Sequence, residues 1–363
     1  MGLKVTPRIP AGNACAVEIN ENGDEPEILF APDPHHGQER LWFHFRISSD
    51  QSAPESRVRL VLKHFDLLYG AGEPAAIVPV YHREGQGWLR MRHGREEKCA
   101  DGQRLVTWFI RHPEPSVDVA LCFPYGPDEV RGLVAKSKGY WMQDDVGISG
   151  GGRSMARLSN MYQPPSEGQR GLYLIARHHP GETPGSWVLD GFLRHLSVLG
   201  KKPLMIWAVP LYDIDGIMGG CFRAPQTPEL GPERKALSSD IARWKERCRP
   251  LLAIDFAAAT AGEGGGLYCS VDVDAPDPKI GEEAGKWANI FKDAMPPGFG
   301  APEFRRNKPA GSRDGTAAFL EQGVCALTIH APYAVIGTNE LAQKDYRQIG
   351  KRLAEAVLRR QRR

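Results

Sequence analysis

Short runs of alternating apolar and polar positions dominate the first third of the chain. Phe43, Phe45 and Ile47 alternate with His44 and Arg46, and Val58, Leu60 and Leu62 with Arg59, Val61 and Lys63. Leu105 to Ile110 is rich in β-formers, and Val117, Val119, Leu121 and Phe123 alternate again. A period of two sends successive side chains to opposite faces, so these runs predict half-buried strands. Gly70-Ala71-Gly72-Glu73-Pro74 and Gly85-Gln86-Gly87 fall between them as turns. Together they predict an antiparallel, β-sandwich-like domain over residues 1–125.

The pattern changes after Phe123-Pro124-Tyr125-Gly126. Apolar runs at Leu172–Ala176, Leu204–Val209, Leu251–Phe256, Leu267–Val271 and Val324–Ile329 predict buried strands. Helical stripes lie between and after them: Val188, Leu189, Phe192, Leu193 and Leu196; Leu237, Ile241 and Trp244; Trp287, Ile290, Phe291 and Ala294; Ile349, Leu353 and Val357. Strands alternating with amphipathic helices imply an α/β layer architecture over residues 126–363.

Composition narrows the function classes. Hydrophobic residues make up 41% and charged residues 25% of the 363 positions, which argues against wholesale disorder. Lys and Arg total 46 against 44 Asp and Glu, a formal charge of +2. Such a chain has no overall field to draw it to nucleic acid or an anionic membrane, so neither is expected as a partner. The basic run Arg359-Arg360-Gln361-Arg362-Arg363 reads as a frayed, solvated helix end. No apolar run approaches the ~20 residues that span a bilayer, and Met1 to Asn20 lacks the apolar core of a signal peptide. The seven cysteines are odd in number and never spaced CxxC, which favours reduced thiols and a cytoplasmic location.

The most informative segment is Leu172-Tyr173-Leu174-Ile175-Ala176-Arg177-His178-His179-Pro180-Gly181-Glu182. A buried strand runs out into a His, a Pro-Gly turn and a Glu, and Thr183-Pro184-Gly185-Ser186 then opens a helix. Imidazole and carboxylate on one turn at a strand end suit a metal ion. The plainer alternative is that His179 and Glu182 decorate a helix N-terminus, where a carboxylate is stabilised anyway. Gly147-Ile148-Ser149-Gly150-Gly151 satisfies the GxSxG pattern of serine hydrolases, but Gln143-Asp144-Asp145 before it and Gly152-Arg153-Ser154 after it read as loop rather than strand and helix.

Arg177 with His179-Pro180-Gly181-Glu182, then Ser186-Trp187-Val188 and Gly191-Phe192-Leu193, resembles the zinc-ligand segment of the metallocarboxypeptidases, in their cytosolic carboxypeptidase branch. Val209-Pro210, Asp213-Ile214-Asp215-Gly216-Ile217 and Gly220-Cys221-Phe222-Arg223 follow in the family's order, and the N-terminal β segment with Phe123-Pro124-Tyr125 resembles the domain that precedes the catalytic one in that branch. The resemblance implies a mixed sheet flanked by helices, and one zinc site with His179 and Glu182 as its first two ligands. It also implies Arg223 as stabiliser of the developing oxyanion and the C-terminal end of a peptide or protein as partner.

Three family positions depart. The third zinc ligand, a His two residues after an Asp, corresponds to Ala257 in Asp255-Phe256-Ala257. The segment holding the substrate carboxylate falls at Leu230-Gly231-Pro232-Glu233-Arg234, where only Arg234 can substitute. The general-base Glu is replaced by His330 in Thr328-Ile329-His330. Catalytic zinc sites use three protein ligands and leave the fourth position to water. Loss of a positioned base costs about 10²–10⁴-fold in rate. These changes predict a weak or empty zinc site and impaired hydrolysis, a pseudoenzyme that still recognises C-termini. The alternative is an active carboxypeptidase with a rearranged site in which His330 joins His179 and Glu182 as ligand and Glu263 serves as base. A serine hydrolase built on Ser149 is the outsider. Oligomeric state has no signature in the sequence.

Overall fold

The computed structural model describes residues 2–22, 25–35, 41–50, 57–67, 74–99, 102–111, 113, 115–161, 168–222, 231–260, 265–272, 277–308 and 315–361. The chain opens with ten strands: β1 (Leu3–Thr6), β2 (Cys15–Asn20), β3 (Glu27–Ala31), β4 (His44–Ser49), β5 (Arg57–Leu62), β6 (Val80–Arg83), β7 (Leu89–Arg90), β8 (Arg95–Lys98), β9 (Arg104–Arg111) and β10 (Ser116–Ala120). They form two five-stranded sheets, ordered β1-β4-β10-β6-β7 and β2-β3-β5-β9-β8. The alternation read in the sequence is visible in β5, where Val58 and Leu60 are fully buried while Arg57 is exposed. Phe30, Phe43 and Phe45 fill the space between the sheets, with Phe30 and Phe45 ring centroids 4.7 Å apart. One pair departs from the antiparallel expectation: β3 runs parallel to β5.

The rest of the chain builds one eight-stranded mixed sheet. After α1 (Pro127–Lys136) come β11 (Met142–Ile148), β12 (Ser154–Ser159), β13 (Arg170–Ala176), α2 (Thr183–Leu199), β14 (Met205–Val209), α3 (Ile214–Met218), α4 (Pro232–Lys245) and β15 (Arg249–Ala258). Then follow β16 (Leu267–Val271), α5 (Pro278–Ala294), β17 (Gly300–Asn307), α6 (Ala317–Leu320), β18 (Ala326–Ala331), the short pair β19 (Val335–Ile336) and β20 (Asn339–Glu340), and α7 (Gln343–Gln361). The sheet order is β11-β12-β14-β13-β15-β18-β16-β17, with β14, β13, β15 and β18 parallel at its centre. Central parallel strands are covered on both faces and read as continuous apolar runs, which is why they stand out in the sequence.

Two layers of helix sandwich this sheet. On one face α2 lies against β15, with the Phe192 and Phe256 rings 5.9 Å apart, and packs closely on α7. The contact between the two helices leaves no room for side chains: a Cβ on Gly191 would stand 2.2 Å from the Arg347 carbonyl oxygen, and one on Gly350 1.9 Å from that of Val188. On the other face Tyr173 of β13 meets Trp244 of α4 at 5.4 Å and Phe319 of α6 at 5.1 Å. The last helix is better anchored than its sequence predicts. Arg360 lies over the Trp287 ring at 4.4 Å and pairs with Glu283, so the basic end is docked rather than frayed through Gln361.

The N-terminal sheets are tied to the mixed sheet near its strand ends. Arg90 donates to the carbonyl oxygens of Leu341 (2.7 Å) and Tyr333 (3.1 Å), both in the segment after β18, while its guanidinium lies 4.8 Å from the Phe123 ring centroid. Asn13 Nδ2 donates to the Gly220 carbonyl oxygen at 2.8 Å.

Candidate functional site

Parallel strands end together, so the loops after β13, β14, β15 and β18 converge on one edge of the sheet, where sites in open α/β sheets form. Register fixes their neighbours: Ile175 pairs with Val209 and Asp255, and Asp255 in turn with Thr328. β13 stops at Ala176, and Arg177 turns the chain with φ 63°, the left-handed region that side chains other than Gly rarely adopt. The turn is then closed by backbone bonds from Glu182 N to His179 O (3.1 Å) and from Gly181 N to Phe222 O (2.9 Å), and by the Tyr333 hydroxyl donating to Gly181 O (3.2 Å). Gly181 permits this closure because a Cβ there would lie 2.3 Å from the Phe222 ring.

His179 and Glu182 therefore occupy one turn, and Glu182 stands at the N-cap of α2. The Glu182 side chain is buried, and its Oε2 accepts from the His179 backbone N–H at 3.4 Å. The His178 ring stacks on Tyr212 at 5.4 Å between ring centroids and meets the His179 ring edge-on at 4.8 Å.

Arg177 organises the charges beneath the turn. It is fully buried, donates through Nη1 to the Tyr125 carbonyl oxygen at 2.7 Å, and burial lowers its pKa to about 10 despite the favourable fields of Glu182, Asp213 and Glu129. The same burial raises the carboxyl pKa values of Asp213 and Glu129. Asp213 also accepts from Gly216 N at 2.8 Å and so caps α3. Sequence reading gave Arg177 only a place in a motif, and its role as the buried cation of the turn needed the fold.

Ala257 and His330, expected at the third-ligand and base positions, lie on the neighbouring strands β15 and β18. Ala257 is buried at the end of β15 and pairs with His330 of β18, so the two side chains share a face. His330 is bound on both ring nitrogens: Nδ1 lies 3.2 Å from the Ala258 carbonyl oxygen and Nε2 2.9 Å from Ser270 Oγ. A carbonyl only accepts, so Nδ1 carries the proton, and in the neutral ring Nε2 accepts from the Ser270 hydroxyl. Tyr268 stacks on the imidazole at 4.6 Å and 11°, and Arg306 lies over Tyr268 at 3.7 Å. Ser270, sixty positions from its partner in sequence, carried no signal in the sequence.

Arg234, at the start of α4, pairs with Glu321 at 2.5 Å. Ser149 sits in the turn between β11 and β12, its hydroxyl donating to Asp215 at 2.9 Å, a hairpin and not a strand-to-helix elbow. Arg223 and Glu263 lie outside the described residues. Among the described residues no three His, Cys, Asp or Glu side chains are grouped to hold a metal ion. Among the described residues the turn offers two donors, His179 and Glu182, one fewer than a three-ligand catalytic zinc takes.

No family model matches the chain. Among curated relatives, cytosolic carboxypeptidase 2 of Danio rerio is 26% identical over 217 residues, covering 50% of this chain and 29% of that protein. Cytosolic carboxypeptidase 3 of Mus musculus is 24% identical over 254 residues, 60% of this chain and 24% of that protein. The chain thus spans less than a third of the length of these two relatives. Among solved structures, the metallo-carboxypeptidase of Burkholderia cenocepacia superposes with a TM-score of 0.78 at 16% identity, covering 98% of both chains. The Pseudomonas aeruginosa metallo-carboxypeptidase, in complex with (2-guanidinoethylmercapto)succinic acid, gives 0.73 at 18% identity over 99% of this chain and 100% of that one. At such identities the superpositions speak to fold alone.

Proposed function

Since this chain belongs to the zinc metallocarboxypeptidase superfamily, in its cytosolic carboxypeptidase-like branch, we propose that it recognises the C-terminal end of a peptide or protein with hydrolysis impaired. The observation that supports this reading is the pairing of Ala257 with His330, the two positions to which the resemblance assigns a third zinc ligand and a carboxylate base. With two protein ligands, zinc binds weakly at His179 and Glu182, and water activation falls with it. Arg223 and Arg234 are the cations assigned to the substrate, the first at a developing oxyanion and the second at a terminal carboxylate. In this reading the Glu321 partner of Arg234 must yield to the peptide. The division into residues 1–125 and 126–363, and a cytoplasmic location, are part of the same proposal. Among the described residues no helix is long and apolar enough to cross a membrane.

The rival reading, an active enzyme with His330 as third ligand and Glu263 as base, draws support from the place of His330 at the strand end. Against it stand the two hydrogen bonds of the ring, since a metal would have to displace Ala258 or Ser270. The test is a panel of peptides with free and amidated C-termini, offered with saturating zinc. We expect binding that requires the free carboxylate and no release of the last residue. Turnover abolished by a chelator, and by His330→Ala, would establish the rival.

A further inference from the structure

Away from this edge, the N-terminal sheets enclose a cleft of about 790 Å³. Arg83, Arg92, Arg95 and Arg111 line it together with Arg57 and Arg90, and Glu25 is the one carboxylate among its described lining residues. Glu25 is already held by Arg57 at 3.0 Å, and Arg90 donates to carbonyl oxygens. Arg83 reaches across to the Arg111 carbonyl oxygen at 2.8 Å and so ties β6 to β9. Among the described residues the guanidinium groups of Arg92, Arg95 and Arg111 make no ion pair or hydrogen bond. A chain of net charge +2 thus gathers uncompensated cations in one concavity.

The floor of the cleft is aromatic. Trp108 is buried to 2% exposure and lines the cleft, yet its indole N–H has no acceptor. The Gly94 backbone closes over it, since a Cβ there would stand 2.5 Å from Nε1, so the indole serves as the aromatic floor of the cleft.

We propose that this cleft binds an oligophosphate group, with Arg92, Arg95 and Arg111 on its phosphates. Guanidinium groups match phosphate oxygens with two parallel hydrogen bonds. One oligophosphate brings several charges into a small volume. An extended acidic peptide offers one same-face carboxylate only every ~7 Å, twice the strand rise.

The test is calorimetric titration of the full chain with sodium tripolyphosphate and, separately, with adenosine triphosphate. We expect saturable one-to-one binding that weakens as sodium chloride is raised. The variant R92A/R95A/R111A, altered only at exposed side chains, should lose about tenfold or more in affinity while melting with the parent. If it melts early, the single Arg→Gln variants, each expected to lose about threefold, carry the test. Equal affinity for both probes means that the phosphate chain alone is read, and tighter binding of the nucleotide means that its base also contacts the cleft. No saturable binding, affinity unchanged in the variants, or a hexaglutamate peptide that outcompetes tripolyphosphate would overturn the proposal.

Discussion

Helix α2 carries Glu182 at its N-cap, and it is set against the sheet through a single small residue. A Cβ on Gly185 would stand 2.1 Å from the Phe256 carbonyl oxygen, 2.5 Å from its carbon and 2.8 Å from Ala257 N. All three are backbone atoms of β15, which is hydrogen-bonded to β13 on one side and β18 on the other, so none can rotate away. Overpacking of this kind costs about 1–3 kcal/mol, and the immobile neighbours place Gly185→Ala at about 3 kcal/mol. Gly132 supplies the opposite case. It lies half-buried within α1, and a methyl group added there would meet nothing within 4 Å, so Gly132→Ala should gain about 0.5–1 kcal/mol through helix propensity. The same substitution at two helical glycines should thus act with opposite signs. Urea unfolding followed by tryptophan fluorescence reads both. A Gly185→Ala midpoint indistinguishable from that of the parent, or a Gly132→Ala more damaging than it, would refute the packing argument.

Three further outcomes follow from the geometry of the strand-end turn. Arg177→Leu removes the buried cation and leaves Glu182, Asp213 and Glu129 without it; removal of one partner from a buried charge cluster should cost about 3 kcal/mol or more in the same urea assay. Burial raises Asp213 above its ordinary 3.8, so its carboxyl favours the fold while protonated, and this contribution fades as pH rises beyond that value. Asp213→Asn keeps a capping oxygen without the charge, so urea midpoints across acidic pH should show the parent losing ground to the variant as pH increases; parallel curves would contradict this. Ala257→His combined with His330→Glu supplies the donor types that the family resemblance expects on β15 and β18, and zinc affinity by competition with a chelator should rise at least about tenfold.

The architecture could be read from the sequence where burial is two-sided. Leu172–Ala176, Leu251–Phe256 and Val324–Ile329 fall on β13, β15 and β18, and the stripe from Val188 to Leu196 falls on α2. β11 and β12 escaped because their polar residues hide the strand pattern. Arg157 of β12 is nonetheless buried, bonded to Asp144 at 2.7 Å and to Asp240 at 2.5 Å, and it lies 3.8 Å over Trp207. Long-range pairing of charges, invisible to local periodicity, lets such a strand enter the sheet. The candidate site divides in the same way. His179 and Glu182 sit three residues apart on one turn and announce themselves, whereas the environment of His330 depends on Ser270, Ala258 and Tyr268, brought together only by the pairing of β15, β18 and β16.

Zinc stoichiometry of the purified full chain, measured by elemental analysis beside a His179→Ala control, bears most directly on the impaired-site reading. We expect well below one zinc per chain even after metal is supplied, with little difference between the two proteins. Near one zinc per chain, lost in the control, would contradict the account and establish a third ligand that the pairing of Ala257 with His330 does not provide.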